Sequence, residues 1–175
     1  MTSRFVQKLK EKTMNNDESE FFPLVYVACA KSYAKGEDWG TWVDPVQSLE
    51  EVQAQIQDLL DCSSVKNADD YFIKEYRGFY GLPLGETPDL EELVEIADKI
   101  WIYGASWAAY LLDNGESSTE EDYLDRYLGE SPIEDKKRYE AYKKYKCINI
   151  ENKLYIFIKK LPTCGSSVLS MLIQL

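Results

Sequence analysis

The sequence predicts an α+β protein with an N-terminal antiparallel sheet plus a helix, a helical middle segment and a small α/β-like C-terminal segment. Three observations predict this class. Short runs of β-branched and aromatic residues are typical of strands, apolar stripes with helical spacing follow recognisable start signals, and the strand pattern returns near the end of the chain. The hydrophobic fraction of 45% is that of an ordinary folded protein.

The first sheet is predicted from three apolar runs. Residues 24–30 combine Val, Tyr, Ala and Cys in a short run that is typical of a buried strand. Residues 39–44 follow after a turn, which indicates a second strand antiparallel to the first. Residues 71–76 are predicted to form a third strand.

The helix over residues 49–61 has the clearest start signal. Ser48 and Glu51 have the S-x-x-E spacing of a capping box, in which each side chain bonds the other residue's backbone N–H. Its apolar positions follow the helical stripe that faces a core, and they are Leu49, Val52, Ile56, Leu59 and Leu60.

Two further helices are predicted in the middle of the chain. Pro88 is placed at the first position of a helix that ends near Gly104, because its missing N–H is harmless there. The stripe of this helix is Leu90, Leu93, Val94, Ala97, Ile100 and Trp101. After a buried element over residues 107–112, Ser118 and Glu121 predict a second capping box and a helix over residues 119–128. The residues expected to face inward are Tyr123, Leu124, Tyr127 and Leu128.

The last part of the chain differs in character. Residues 136–146 are rich in Lys and Tyr and predict a basic helix. Residues 154–158 predict a strand, and residues 168–175 form a mostly apolar terminus. Interleaved Lys and Tyr occur in nucleic-acid contacts, but a solvated basic helix that pairs with the acidic part of the chain is the favoured interpretation.

The charge is unevenly placed. The segment from Asp17 to Asp135 holds 28 of the 31 acidic residues and seven of the 20 basic ones, a formal charge of −21. The flanks hold 13 basic and three acidic residues, a formal charge of +10. Acidity alone favours solubility, but these carboxylates alternate with a core pattern and so lie on folded elements. Glu91 and Glu95 repel each other at i, i+4, which indicates that the charge serves a partner.

The complete absence of histidine excludes several functions. It removes His-dependent catalytic triads, imidazole zinc sites and the usual general base near neutral pH. We therefore predict no enzyme, no catalytic residue, no cofactor and no metal. No apolar run is long enough to cross a bilayer, and the N-terminus lacks the apolar region of a secretory signal, so we expect a protein of the host bacterial cytoplasm.

Taken in order, several stretches resemble the ArdA family of antirestriction proteins. The resemblance covers about residues 22–130, and the sequence departs from the family pattern after Glu130. The stretches that carry it are Val25-Tyr26-Val27-Ala28-Cys29, Gly40-Thr41-Trp42-Val43-Asp44, the acidic helix over 49–61, residues 69–79 and 81–82, residues 89–97, Ala108-Ala109-Tyr110, Glu120-Glu121-Asp122-Tyr123 and residues 127–130.

The resemblance implies an elongated protein of two or three small domains in a row. We expect a basic leader over 1–20, an N-terminal α+β domain over 21–85, an acidic helical middle domain over 86–130 and a divergent basic segment over 131–175. It further implies carboxylates that imitate the phosphates of bent B-form DNA, possible homodimers, and inhibition of Type I restriction–modification enzymes on behalf of mobile genetic elements. A charge of −21 matches about ten base pairs of duplex.

The predicted partner is therefore the DNA-binding specificity and methyltransferase part of such an enzyme, without direct contact to nucleic acid or membrane. The predicted DNA-mimicking surface consists of acidic residues on the folded segment. They are Glu50, Glu51, Asp58, Asp61, Asp69, Asp70, Glu75, Glu86, Asp89, Glu91, Glu92, Glu95, Asp98, Asp113, Glu116, Glu120, Glu121, Asp122, Asp125 and Glu130.

Two other functions are compatible with the sequence. The first is an acidic inhibitor or adaptor of another DNA-binding protein, such as a CRISPR effector or a repressor, which would show the same salt dependence. The second is a metal-dependent enzyme that uses the clustered carboxylates Glu120, Glu121, Asp122 and Asp125. Such an enzyme would depend on one or two residues, whereas a mimic would lose function gradually as charges are removed.

Overall fold

A computed structural model describes residues 22–115, 118–140 and 145–159. Two compact units divide the chain between Ser117 and Ser118. Each unit has a three-stranded antiparallel sheet with helices, which confirms the α+β prediction. The predicted basic leader and apolar terminus lie outside the described residues, and the predicted segment boundaries remain predictions. Within the described ranges, no helix combines the length and the apolar character needed to span a membrane.

Among its described residues, the first unit contains one sheet and four helices. Its elements, in chain order, are β1 (Leu24–Cys29), α1 (Ala30–Tyr33), β2 (Gly40–Val43), α2 (Leu49–Asp61), β3 (Tyr71–Arg77), α3 (Leu90–Tyr103) and α4 (Ala105–Asn114). β1 lies in the centre of the sheet, and β2 and β3 pair with it in antiparallel fashion. The three predicted strands and the helix over 49–61 are confirmed.

The core of the first unit lies on one face of this sheet. Val25, Val27 and Cys29 lie on this face of β1 and are buried, and the small Ala28 on the opposite face is buried as well. The apolar stripes of the helices pack in the same unit, and their buried members are Val52, Ile56, Leu59 and Leu60 of α2 and Leu93, Ala97 and Ile100 of α3.

The opposite face of the sheet carries a row of aromatic rings with two cations. Tyr26 and Trp42 are cross-strand neighbours whose ring centroids lie 5.3 Å apart. The Arg77 guanidinium lies 4.1 Å from the centroid of the Trp42 ring, and Lys74 lies 5.8 Å from that of Tyr26. Gly40 permits this arrangement, because a Cβ there would lie 2.6 Å from the Tyr26 ring.

The helix boundaries follow the caps. The predicted capping box of Ser48 and Glu51 is present at the start of α2. α3 begins at Leu90, two residues after Pro88, so the prediction that Pro88 occupies the first helical position is wrong. The Asp89 carboxylate accepts the first free backbone N–H groups and thereby sets the start. α3 ends at Gly104, as predicted, where φ is +63°.

The second unit is smaller. Its elements are α5 (Glu120–Arg126), β4 (Tyr127–Pro132), α6 (Lys136–Glu140), β5 (Tyr145–Ile150) and β6 (Lys153–Ile158), with a 3₁₀ turn over Ile133–Asp135. β6 lies between β4 and β5. Glu151 and Asn152 join β5 to β6 with φ values of +48° and +63°, the geometry of a tight hairpin turn. The predicted strand near residues 154–158 is confirmed.

Three predictions in the second unit are wrong in detail. The side chain of Thr119, not of Ser118, caps α5 by accepting the Asp122 N–H. Leu124 and Leu128 are exposed instead of inward, whereas Arg126 is buried. The Arg126 Nε donates to the Ile158 carbonyl at 2.7 Å and Nη1 pairs with Asp122 at 3.0 Å, so the guanidinium takes the inward position.

The helices predicted over residues 119–128 and 136–146 also end earlier than expected, because a strand begins inside each predicted range. The chain enters β4 at Tyr127, because its backbone pairs with Phe157 of β6. In the same way, Tyr145 pairs with Ile158 and begins β5 instead of continuing a basic helix. Strand pairing therefore overrides the helical pattern at these positions.

We expect the substitution Gly40→Ala to lower the free energy of unfolding by about 1–3 kcal/mol, because the added methyl group would lie 2.6 Å from the Tyr26 ring and 2.7 Å from the Val27 carbonyl oxygen. Urea unfolding monitored by tryptophan fluorescence measures the change. Thr41→Ala, at an exposed neighbouring position of β2, is the control and should cost well under about 1 kcal/mol. Equal losses in both variants would show that neither the Tyr26 ring nor the Val27 backbone is closely packed on Gly40.

Candidate acidic interaction surface

Most of the predicted acidic residues lie at the protein surface. Sixteen of the twenty are exposed. Asp113, Glu120 and Asp122 are half-buried, and Glu116 lies outside the described residues. Since the apolar stripes of α2 and α3 face the core, the carboxylates on these helices are left on the solvent side.

On the acidic face of α2, some carboxylates accept hydrogen bonds within the helix, and others are exposed without an ion pair. Glu51 belongs to the capping box, in which its Oε2 accepts the Ser48 N–H at 3.2 Å. Asp61 accepts a hydrogen bond from the Gln57 amide at 2.8 Å. Glu50 and Asp58 are exposed and form no ion pair with any described residue.

The acidic face of α3 carries a row of exposed carboxylates. Asp89 caps the helix by accepting the N–H groups of Glu91 and Glu92 at 2.9 and 3.1 Å. Beyond the cap, four exposed side chains follow on the helix, and none has an ion-pair partner among the described residues. They are Glu91, Glu92, Glu95 and Asp98. The helix dipole favours acids in the first turn but gives no such support to Glu95 and Asp98.

Four of the predicted residues are neutralised by cations of the same unit. Asp69 pairs with Lys31 in the first unit, where this contact lowers the pKa of the Asp69 carboxyl. The other pairs are Glu75 with Arg77 at 3.1 Å, Asp122 with Arg126 at 3.0 Å and Glu130 with Lys153 at 3.1 Å. These carboxylates offer less net charge to a partner than those of α3.

Asp44 is an acidic residue that the sequence analysis did not select. It follows β2 directly and retains 4% of its accessible surface. Its Oδ1 accepts the Val46 N–H at 2.8 Å, while its buried Oδ2 has no hydrogen-bond partner among the described residues. The signal in the sequence is the Asp44-Pro45 pair after a strand, since Asp side chains in such turns bond the backbone two residues later.

Burial makes Asp44 unusual among the carboxylates. Desolvation is the main cause that raises the pKa of Asp44 to about 6, the Val46 N–H opposes it, and the negative charge of Asp98 adds to the increase. The buried residue and the acidic face of α3 are therefore electrostatically coupled.

Metal binding is the other chemistry that clustered carboxylates can support. Within the described ranges, no group of three or more His, Cys, Asp or Glu side chains is placed to hold a metal ion. On α5, where the sequence left a carboxylate-based metal enzyme open, Asp122 is bound to the buried Arg126.

Two exposed acidic residues, Glu37 and Asp38, are missing from the predicted surface. Asp38 pairs with Lys74 at 2.7 Å.

A family model described as "Antirestriction protein (ArdA)" matches residues 25–156. The match reaches into both units and continues past Glu130, so the predicted end of the resemblance at about residue 130 is too early. Comparison with curated proteins and with solved structures gave no match.

Replacement of Asp44 by Asn should change how stability depends on pH. The pKa of Asp44 is higher in the folded than in the unfolded chain. The contribution of Asp44 to the free energy of unfolding is therefore fully present below about pH 4 and is lost as the pH rises through about 6. Relative to Asp44→Asn, the wild type should lose about 2–3 kcal/mol of unfolding free energy between pH 4 and pH 7.5.

Urea unfolding of both proteins across this pH range measures the difference. Asp58→Asn, which removes an exposed carboxylate of α2, is the control and should follow the wild type at each pH. A constant difference between wild type and Asp44→Asn would show that Asp44 titrates normally.

Proposed function

We propose, because this chain belongs to the ArdA family of antirestriction proteins, that it inhibits Type I restriction–modification enzymes by occupying their DNA-binding site. Antirestriction activity follows from the family. DNA mimicry, the Type I target and the contact with the specificity and methyltransferase subunits are the parts that we add. In this proposal the chain binds its target and catalyses no reaction.

The observation that carries the proposal is the acidic face of α3. Glu91, Glu95 and Asp98 recur along one helix at intervals of four and three residues, or about 6 and 4.5 Å along the axis. They repel one another, and none of them forms an ion pair with a described cation, although Lys99 lies next to Asp98 on the same helix. A basic groove that normally receives phosphates would relieve this repulsion, and the attraction would be electrostatic and salt-dependent.

The proposed contact surface of the first unit consists of the acidic faces of α2 and α3. Glu50 and Asp58 of α2 belong to it together with the carboxylates of α3. Glu121 and Asp125 of α5 provide an acidic face of the second unit. The remaining predicted residues contribute less, since caps and ion pairs already engage several of them.

DNA binding and methylation by a purified Type I enzyme, titrated with this protein at two salt concentrations, test the proposal. We expect stoichiometric inhibition of DNA binding that weakens as salt increases, because the competition is between two polyanions for one groove. An excess of the protein that leaves DNA binding unchanged would reject the Type I target. Titration of other DNA-binding enzymes would then test the alternative target class.

Removal of the four charges of α3 should weaken inhibition. We expect the variant Glu91→Gln, Glu92→Gln, Glu95→Gln and Asp98→Asn to need about ten- to a hundredfold more protein for half-inhibition, since each surface charge contributes about 0.2–1 kcal/mol. Its stability should change by about 1 kcal/mol or less, because relief of the repulsion within the helix partly offsets the lost interaction of Glu91 and Glu92 with the helix dipole.

The control for this variant loses the same formal charge elsewhere. Asp38→Asn, Asp69→Asn, Glu75→Gln and Glu130→Gln remove four carboxylates that are already paired with cations. Inhibition by this control should change less than inhibition by the α3 variant. Equal loss in both would mean that net charge, and not the face of α3, determines binding.

A further inference from the structure

The last turn of α3 carries two large apolar side chains that are exposed. Trp101 retains 52% of its accessible surface and Ile102 retains 61%. The Trp101 ring contacts Phe22 edge-on, with the two ring centroids 5.0 Å apart. The sequence analysis assigned Trp101 to the core-facing stripe, and this prediction is wrong. The end of α3 therefore presents an apolar pair to the solvent.

Ile102 lies on the acidic side of α3. Along the helix, Glu91, Glu95, Asp98 and Ile102 follow one another at intervals of four, three and four residues. At 3.6 residues per turn, side chains with this spacing leave the helix in nearly the same direction. Ile102 therefore continues the row of carboxylates and lies about 6 Å beyond Asp98 along the helix axis.

The packing of the first unit does not account for this apolar pair. The side of α3 that faces the core is formed by other residues, namely Leu93, Ala97 and Ile100. Lys or Gln would form an exposed helical turn at least as well as Trp or Ile. Adjacent exposed apolar residues beside charged ones are typical of an interaction site, and tryptophan is among the residues that contribute most to protein interfaces.

We propose that Trp101 and Ile102 form an apolar anchor, which packs against apolar side chains in the DNA-binding groove of the bound partner. This inference rests on the proposed function, because the same helix brings the carboxylates and the anchor to that groove. Proteins that read duplex DNA contact the thymine methyl group with apolar side chains, next to the cations that bind phosphates. The methyl groups of Ile102 fit such apolar side chains.

A second copy of this chain fits the apolar anchor less well than a basic groove does. In a twofold-symmetric dimer, the same patch of both copies forms the interface. The exposed Glu95 and Asp98 beside the anchor would then approach the same carboxylates of the other copy. Their repulsion opposes this dimer, whereas cations of a DNA-binding groove attract them.

The apolar anchor and the carboxylates contribute to affinity in ways that salt separates. Attraction between carboxylates and a basic groove weakens as the salt concentration rises. Burial of an apolar side chain removes area from water and does not depend on screening. Loss of the anchor should therefore lower the affinity without changing its salt dependence, whereas loss of the carboxylates should reduce the salt dependence.

Calorimetric titration of a purified Type I enzyme with the full chain, at several salt concentrations, tests the inference. We expect Ile102→Gln to weaken the affinity by about five- to thirtyfold at each salt concentration, because an exposed apolar side chain is no longer buried on binding. Ile102→Leu, which keeps an apolar side chain, should bind like the wild type. The variant that lacks the four charges of α3 should show a smaller salt dependence.

The control is Tyr33→Gln, which removes an apolar ring with 50% of its surface exposed. Tyr33 contacts Phe72 and Lys74 on the aromatic face of the sheet, and not the acidic face of α3. Its loss should leave the affinity for the enzyme unchanged. An equal loss in Tyr33→Gln and Ile102→Gln would show that any exposed apolar residue has this effect and would overturn the inference.

Other outcomes also contradict the inference. Wild-type affinity of Ile102→Gln, with competition against DNA intact, would remove the anchor and leave the proposed function standing. Sedimentation that shows a wild-type dimer and an Ile102→Gln monomer would assign the patch to a second copy. A lower free energy of unfolding of isolated Ile102→Gln would show that the chain itself covers Ile102. Absence of wild-type binding would reject the Type I target and the anchor with it.

Discussion

Hydrophobic contacts of Leu93, Ala97 and Ile100 hold α3 on the core of the first unit, and the orientation of its carboxylates depends on them. Full burial of a Leu or Ile side chain contributes about 1.5–3 kcal/mol, whereas a like-charge pair one turn apart costs a few tenths. Core burial therefore exceeds the repulsion between Glu91 and Glu95. The protein can maintain a row of uncompensated carboxylates because the opposite side of the same helix is well packed.

Local signals account for the parts of the fold that the sequence predicts. The apolar, β-branched run of β1 and the capping box of Ser48 and Glu51 depend on residues close in the chain, and the predicted strand and cap are both present. The prediction for the inward face of α5 was wrong because that face depends on contacts with a distant segment of the chain. Arg126 turns inward because it binds the carbonyl of Ile158, 32 residues away, and the helical pattern around it contains no sign of this contact.

The sequence predicts that most of these carboxylates are exposed, but not which of them are engaged in helix caps or ion pairs. Composition and helical spacing place sixteen of the selected carboxylates on the exterior. They do not reveal that Asp122 is bound to a buried arginine, since Arg126 is held inside by the distant Ile158 carbonyl. The cap of Asp89 is a local feature that was missed because the start of the helix was placed at Pro88. Asp44 escaped selection because only packing around the loop after β2 buries it.

The central claim is that the acidic faces occupy the position of DNA on the target enzyme. Hydrogen–deuterium exchange of a Type I restriction–modification enzyme, measured free, with duplex DNA and with this protein, tests it most directly. We expect the same enzyme segments to be protected by DNA and by the protein, and α2 and α3 to be protected on the protein. Protection of enzyme segments remote from the DNA-binding groove, with α3 unprotected, would contradict the account.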